Sequence, residues 1–151
     1  GQCMVDQGQI TTFDNRTYQL GEKGNVLVQS YYSAARNWRQ EQAPQGYHNF
    51  TIAIQRESGQ QEVVIAVEEN ILRIKPNSGR SAIFQFNDKN VAVSQGERVP
   101  LRDNRGTEVM EVMQTADVHY TVRSREVGFQ LIWAGNSVMI QLDGSLRGKV
   151  R

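Results

Sequence analysis

The chain has 151 residues, 38% apolar and 22% charged, with 17 Lys and Arg against 16 Asp and Glu. A net charge of +1 gives no general reason to expect DNA, RNA or an anionic membrane as partner. No apolar run approaches the roughly 18 residues of a bilayer-crossing helix, and the size is that of one domain with an ordinary core. No signal peptide is visible, as expected of a mature secreted chain or of a domain cut from a longer protein.

In chain order, Ile10 to Tyr18 places a turn between Phe13 and Tyr18, and a β-rich region begins at Asn25 to Tyr32. Ser33 to Gln45 is polar and reads as a long loop with room for one helical turn. Phe50 to Gln55 alternates with period two; Ser58-Gly59-Gln60 is a turn and Glu62 to Val67 the returning strand. Asn70 marks another turn before Ile71 to Lys75, and Pro76-Asn77-Ser78-Gly79 breaks the chain. Ala82 to Phe86 alternates again, followed by a polar turn over Asn87 to Asn90 and a short run Val91 to Val93. Gly96 and Pro100 bracket a short edge, and Asp103-Asn104-Arg105-Gly106 is the clearest turn of the middle. Glu108 to Met113 carries Val109, Glu111 and Met113 on one face and Met110 and Val112 on the other. His119 to Arg123, Phe129 to Trp133 and Val138 to Leu142 complete the series. No 3.6-residue stripe and no fixed-period repeat interrupts it. The pattern predicts an all-β antiparallel sandwich of about ten short strands.

Chemistry-bearing residues are sparse. Cys3 is the only cysteine, so it is either a lone thiol near a loose end or one half of a disulfide whose partner lies outside this chain. His48 and His119 are the only histidines and have no metal-ligand spacing with Cys3. Asp14, Asn136 and Asp143 are oxygen donors at turns or strand ends, short of the six to eight that calcium takes. Glu68 and Glu69 are adjacent and would point apart in a strand; no nucleophile elbow or phosphate-binding glycine loop occurs. The residues therefore predict no enzyme and no required cofactor. Asn15-Arg16-Thr17 and Asn49-Phe50-Thr51 are N-glycosylation acceptors that would need to face outward. Arg36, Trp38 and Arg39, with Tyr31, Tyr32 and Tyr47 nearby, read either as a loop pinned to the sheet by its aromatics or as a contact patch for a sugar, an acidic protein or a lipid headgroup. Trp133, in an apolar strand, reads as core or rim.

The order of these signals resembles a von Willebrand factor type D domain, most like those of vitellogenins and other large lipid-transfer proteins. Cys3-Met4-Val5 followed by Thr11-Thr12-Phe13-Asp14-Asn15-Arg16-Thr17-Tyr18 resembles the family's opening cysteine and its Thr-Phe-Asp turn. Leu131-Ile132-Trp133-Ala134-Gly135-Asn136 and Val138-Met139-Ile140-Gln141-Leu142 resemble its late pair of strands, and Leu146 to Val150 the segment before its Cys-Gly-Leu-Cys-Gly element. The chain departs from the family in having no cysteine near Gly21 to Asn25, and Asp6-Gln7-Gly8-Gln9 stands where some members carry a Gly-Asp-Pro-His cleavage motif, so autocleavage is not implied.

The resemblance implies one domain over residues 1–151, cut from a longer protein and lacking a cysteine-rich C-terminal part. It implies a calcium role for Asp14, with most of the ligand set expected beyond Arg151 in the full-length protein. It implies a non-catalytic structural and protein-interaction module of a secreted, extracellular yolk or lipid-transport protein, in contact with other domains of that carrier or with an extracellular protein. The alternative is an independent carbohydrate- or surface-ligand-binding module working through Arg36, Trp38 and Arg39.

Overall fold

Side chains two apart along an extended chain share a face, so each alternating run commits one set of residues to the interior. The computed structural model shows where those faces meet; it describes residues 2–6, 9–11, 17–19, 24–29, 49–57, 60–77, 81–116, 118–135 and 137–143. Among them are fourteen strands: β1 (Gln2–Asp6), β2 (Gln9–Thr11), β3 (Thr17–Gln19), β4 (Gly24–Gln29), β5 (Phe50–Glu57), β6 (Gln60–Val67) and β7 (Asn70–Pro76), then β8 (Ala82–Phe86), β9 (Lys89–Val91), β10 (Arg98–Arg102), β11 (Glu108–Ala116), β12 (His119–Ser124), β13 (Phe129–Ala134) and β14 (Ser137–Leu142).

They form two antiparallel sheets. The eight-stranded sheet runs β10-β11-β12-β13-β14-β1-β2-β3, and the six-stranded sheet runs β4-β5-β6-β7-β8-β9. The chain thus starts in one sheet, builds the whole of the other as a meander, and returns. β1 and β14 close the larger sheet from opposite ends of the sequence, with Cys3 opposite Ile140 and Val5 opposite Val138. Pro100 lies in edge strand β10, where a missing N–H leaves no interior ladder bond unmade.

The expectation of a sandwich holds, and the strand number is higher than about ten. β1, β2 and β3 account for the main difference. They are three to five residues long and rich in Gln and Thr. Such segments are strands because β14 and one another supply their ladder bonds, not because their own patterning is strong.

Between the sheets lies one core. From the six-stranded sheet come Ile52, Ile54, Val63, Ile65, Leu72 and Ile74; from the eight-stranded sheet come Val5, Val112, Val122, Leu131, Val138 and Ile140, all buried. Aromatic rings lock the layers together. Phe50 of β5 stacks on Phe129 of β13 at 5.8 Å, and Phe84 of β8 meets Tyr120 of β12 at 5.0 Å, with Trp133 edge-on to Tyr120 at 5.6 Å. Each such ring removes an area from water worth about 1.5–3 kcal/mol, plus about 0.5–1.5 kcal/mol for a favourable ring pair. Trp133 is 1% exposed, which settles its reading as core, although its indole N–H has no acceptor among the described residues.

The tight turns are set by local chemistry. Asn87 and Asp88 both have positive φ, 50° and 68°, the requirement of a two-residue I′ hairpin, and Asn and Asp tolerate it better than most residues. Asp103 accepts hydrogen bonds at Oδ1 from the backbone N–H of Arg105 and of Thr107, each 2.9 Å, and Gly106 takes φ +85°. This is the predicted Asp103 to Gly106 turn, stabilised by an aspartate bonding its own loop.

Candidate functional site

Several hairpin ends from both sheets converge at one end of the sandwich. The turn of β6–β7 brings Glu68 and Glu69, that of β8–β9 brings Asn87 and Asp88, that of β10–β11 brings Asp103 to Thr107, and the β12–β13 turn brings Glu126. Together they line a groove of about 770 Å³ with Val67, Ile71 and Val109 among its apolar walls. Its shape is held by hydrogen bonds between the turns. The backbone N–H of Ile71 donates to Asn87 Oδ1 at 2.9 Å, Asn87 N–H donates back to Ile71 O at 2.9 Å, and Asn87 Nδ2 donates to Asn70 Oδ1 at 3.0 Å. The β12–β13 turn is fixed by Ser124, whose buried hydroxyl donates to Val109 O at 2.9 Å and accepts from Val127 N–H at 3.2 Å.

The groove is acidic. Among the described residues, Glu68, Glu69, Asp88, Asp103 and Glu126 face it with Arg73 and Arg105 in opposition, in a chain of net charge +1. Glu68 and Asp103 have structural duties: Glu68 Oε1 accepts from Asn49 N–H at 3.1 Å, and Asp103 closes its own turn. Glu68 and Glu69 form the hairpin turn, not a strand, so the expectation that they point apart across a sheet does not apply. Among the described residues no three His, Cys, Asp or Glu side chains converge in a way that could hold a metal ion.

A second polar feature occupies the outer face of the eight-stranded sheet. Glu111 in β11 is 2% exposed and lies directly across from Arg123 in β12. It accepts from Arg123 Nε at 2.7 Å, from Arg123 Nη2, and from Arg98 Nε; Arg98 Nη2 also donates to both carboxylate oxygens of Glu108 at 2.6 Å. Burial pushes the Glu111 carboxyl up, but the guanidinium hydrogen bonds from Arg123 and Arg98 outweigh it and hold the group below the ordinary carboxylate range. The same contacts, first with Glu108 and then with Glu111, raise Arg98 further above its already high value. Sequence reading groups Glu111 with Val109 and Met113 on one strand face but cannot find this cluster, because it depends on the register of three strands.

The residues singled out from sequence are not gathered in one place. Cys3 is buried in β1, a free thiol pushed up to about 11 by burial. Asn49 is half-buried immediately before β5, and its carbonyl accepts Glu68 N–H at 2.8 Å beside the groove. His119 is exposed at the start of β12, and Asp143, also exposed, donates its N–H to Gly128 O at 2.9 Å. Asp14, Asn15, Arg36, Trp38, Arg39, His48 and Asn136 lie outside the described residues. The groove itself escaped sequence reading, since its walls come from four separate turns spread between Glu68 and Glu126.

Two antiparallel sheets of unequal size, packed on one core, define a β-sandwich module. Among the described residues no helix is long and apolar enough to cross a membrane. A profile of the von Willebrand factor type D domain matches residues 3–151, and the chain belongs to that family. A comparison with curated protein sequences finds no match.

Proposed function

We propose that this von Willebrand factor type D domain acts as a non-catalytic structural and protein-interaction module of a secreted yolk or lipid-transport protein. The observation that carries the reading is the family match over residues 3–151. The stretches Cys3 to Tyr18 and Leu131 to Val150, whose wording is most like the vitellogenin-type members, support the particular setting. A sandwich whose sheets are joined by stacked aromatics is a rigid body suited to holding neighbouring domains at fixed distance. In that setting Asn15 and Asn49 carry glycans, and Asp14 contributes to a calcium site completed elsewhere in the parent protein. Cys3 is either a lone buried thiol or, in the parent protein, one half of a disulfide with a cysteine outside this chain. Arg36, Trp38 and Arg39 supply a contact patch.

The test is cross-linking mass spectrometry on the native parent protein isolated from extracellular fluid. Cross-links from this domain to a lipid-binding body of the same protein support the reading. An intracellular parent, or one with no lipid-binding body, contradicts it. The alternative, an independent carbohydrate- or surface-ligand-binding module, predicts that glycan or headgroup binding falls when Trp38 and Arg39 are replaced by alanine.

A further inference from the structure

Three of the four methionines stand on one side of one sheet. Alternation in β1 turns Cys3 and Val5 inward and Met4 outward; in β14 it buries Val138 and Ile140 and turns Met139 outward; in β11 Met110 and Val112 face the core and Met113 does not. The register puts these residues in a single cross-strand row. Met4 lies opposite Met139, Met139 opposite Ile132, Ile132 opposite Thr121, and Thr121 opposite Met113. All three outer methionines are partly exposed, whereas Met110 is 1% exposed. An open depression of about 320 Å³ borders Met4, giving a small reagent room to approach. Gln141 Nε2 lies 3.9 Å from Met139 Sδ, a weak contact to sulfur from a group that donates far better to oxygen.

We propose that this outer row is an oxidant-reactive surface, at which Met4, Met113 and Met139 reduce peroxide and become sulfoxides while Met110 and the fold are spared. The thioether sulfur attacks one peroxide oxygen; the O–O bond breaks and the S–O bond forms. Sulfur gives up two electrons, and the departing hydroxide takes the proton of the transferred oxygen to leave as water. A sulfoxide is polar, so making one in the core strands a buried acceptor, whereas making one on a face already wetted costs little. Gln141 is placed to donate to the new oxygen on Met139. The second reductant of this chain, the Cys3 thiol, is buried and protonated and stays out of the reaction.

The experiment treats the folded chain with hydrogen peroxide and follows each methionine by peptide mass spectrometry, fragmentation separating Met110 from Met113. The expected result is one oxygen each on Met4, Met113 and Met139, gained about tenfold or more faster than on Met110. The melting temperature is expected to hold until Met110 reacts, and all four rates to converge in denaturant. Replacing the three by leucine, a volume-conserving change, is expected to abolish the fast uptake of three oxygens. Equal rates at Met110 and the outer three in the folded chain would overturn the proposal, as would outer methionines that react only after unfolding. The wild-type rates decide the matter even if the leucine variant does not fold.

Discussion

Glu111→Gln is the substitution that separates charge from shape most cleanly. The amide has the size of the carboxylate and still accepts one hydrogen bond, so the inner packing of Met110 and Val112 is untouched. What disappears is the negative charge shared between Arg98 and Arg123, whose side chains are 44% and 38% exposed. Removing one partner of a fully buried pair costs about 3–5 kcal/mol, because a charge is stranded without solvent. Here the groups left behind are half in water, which brings the expected loss down to about 1–2 kcal/mol. For a chain of this length that is a fall in melting temperature of roughly 2–8 °C. The pH dependence gives the sharper check. Glu111 titrates lower folded than unfolded, so its contribution is present above the unfolded value of about 4.3 and fades as pH falls through the folded value. Urea unfolding of both proteins across that range should show a gap at neutral pH that closes in acid. A gap of the same size at every pH, or none at neutral pH, would refute the electrostatic reasoning.

Other outcomes follow from single residues. Cys3 should resist maleimide labelling at neutral pH and react at once in denaturant. Because its pKa is raised from 9.0 to about 11, stability should also decline as pH rises from 9 towards 11, in a limb that Cys3→Ala removes. Gly106→Ala places its Cβ in open space, so only the backbone cost of φ +85° remains, about 1–2 kcal/mol by chemical denaturation. Trp133→Ala should cost about 3–5 kcal/mol, the range for a large aromatic lost from a packed core. Trp133→Phe should cost distinctly less, since it also removes a buried N–H with no acceptor among the described residues.

Strands such as β5, β6, β12, β13 and β14 were legible because their apolar residues alternate over five or more positions, whereas β9 begins at Lys89, inside the polar stretch read as a turn, and ends at Val91 instead of running on to Val93. Gln60–Val67 buries every second residue, as period two requires. The turn at Asp103 to Gly106 was legible for the same kind of local reason. Met4 and Cys3 were not assignable to a strand from their own neighbourhood, because the partner of β1 lies at the far end of the chain. Glu111 illustrates the remaining gap. A glutamate in an alternating strand looks like a solvated residue until the register sets Arg123 across from it and brings Arg98 close. The groove poses the same difficulty: Asn87, Asp103 and Glu126 each announce a turn, and nothing local says that the turns share one end of the sandwich. Sequence motifs were informative about family, through the segments near Cys3 and Trp133, more than about any assembled site.

Two sheets pack through one interior, and the first and last strands pair within the larger one. A nuclear Overhauser spectrum of the folded chain tests this directly. Cross-peaks linking Cys3 with Ile140, Val5 with Val138, and the rings of Phe50 and Phe129 are predicted. A well-dispersed spectrum without the β1–β14 contacts, or with the two phenylalanine rings far apart, would contradict it.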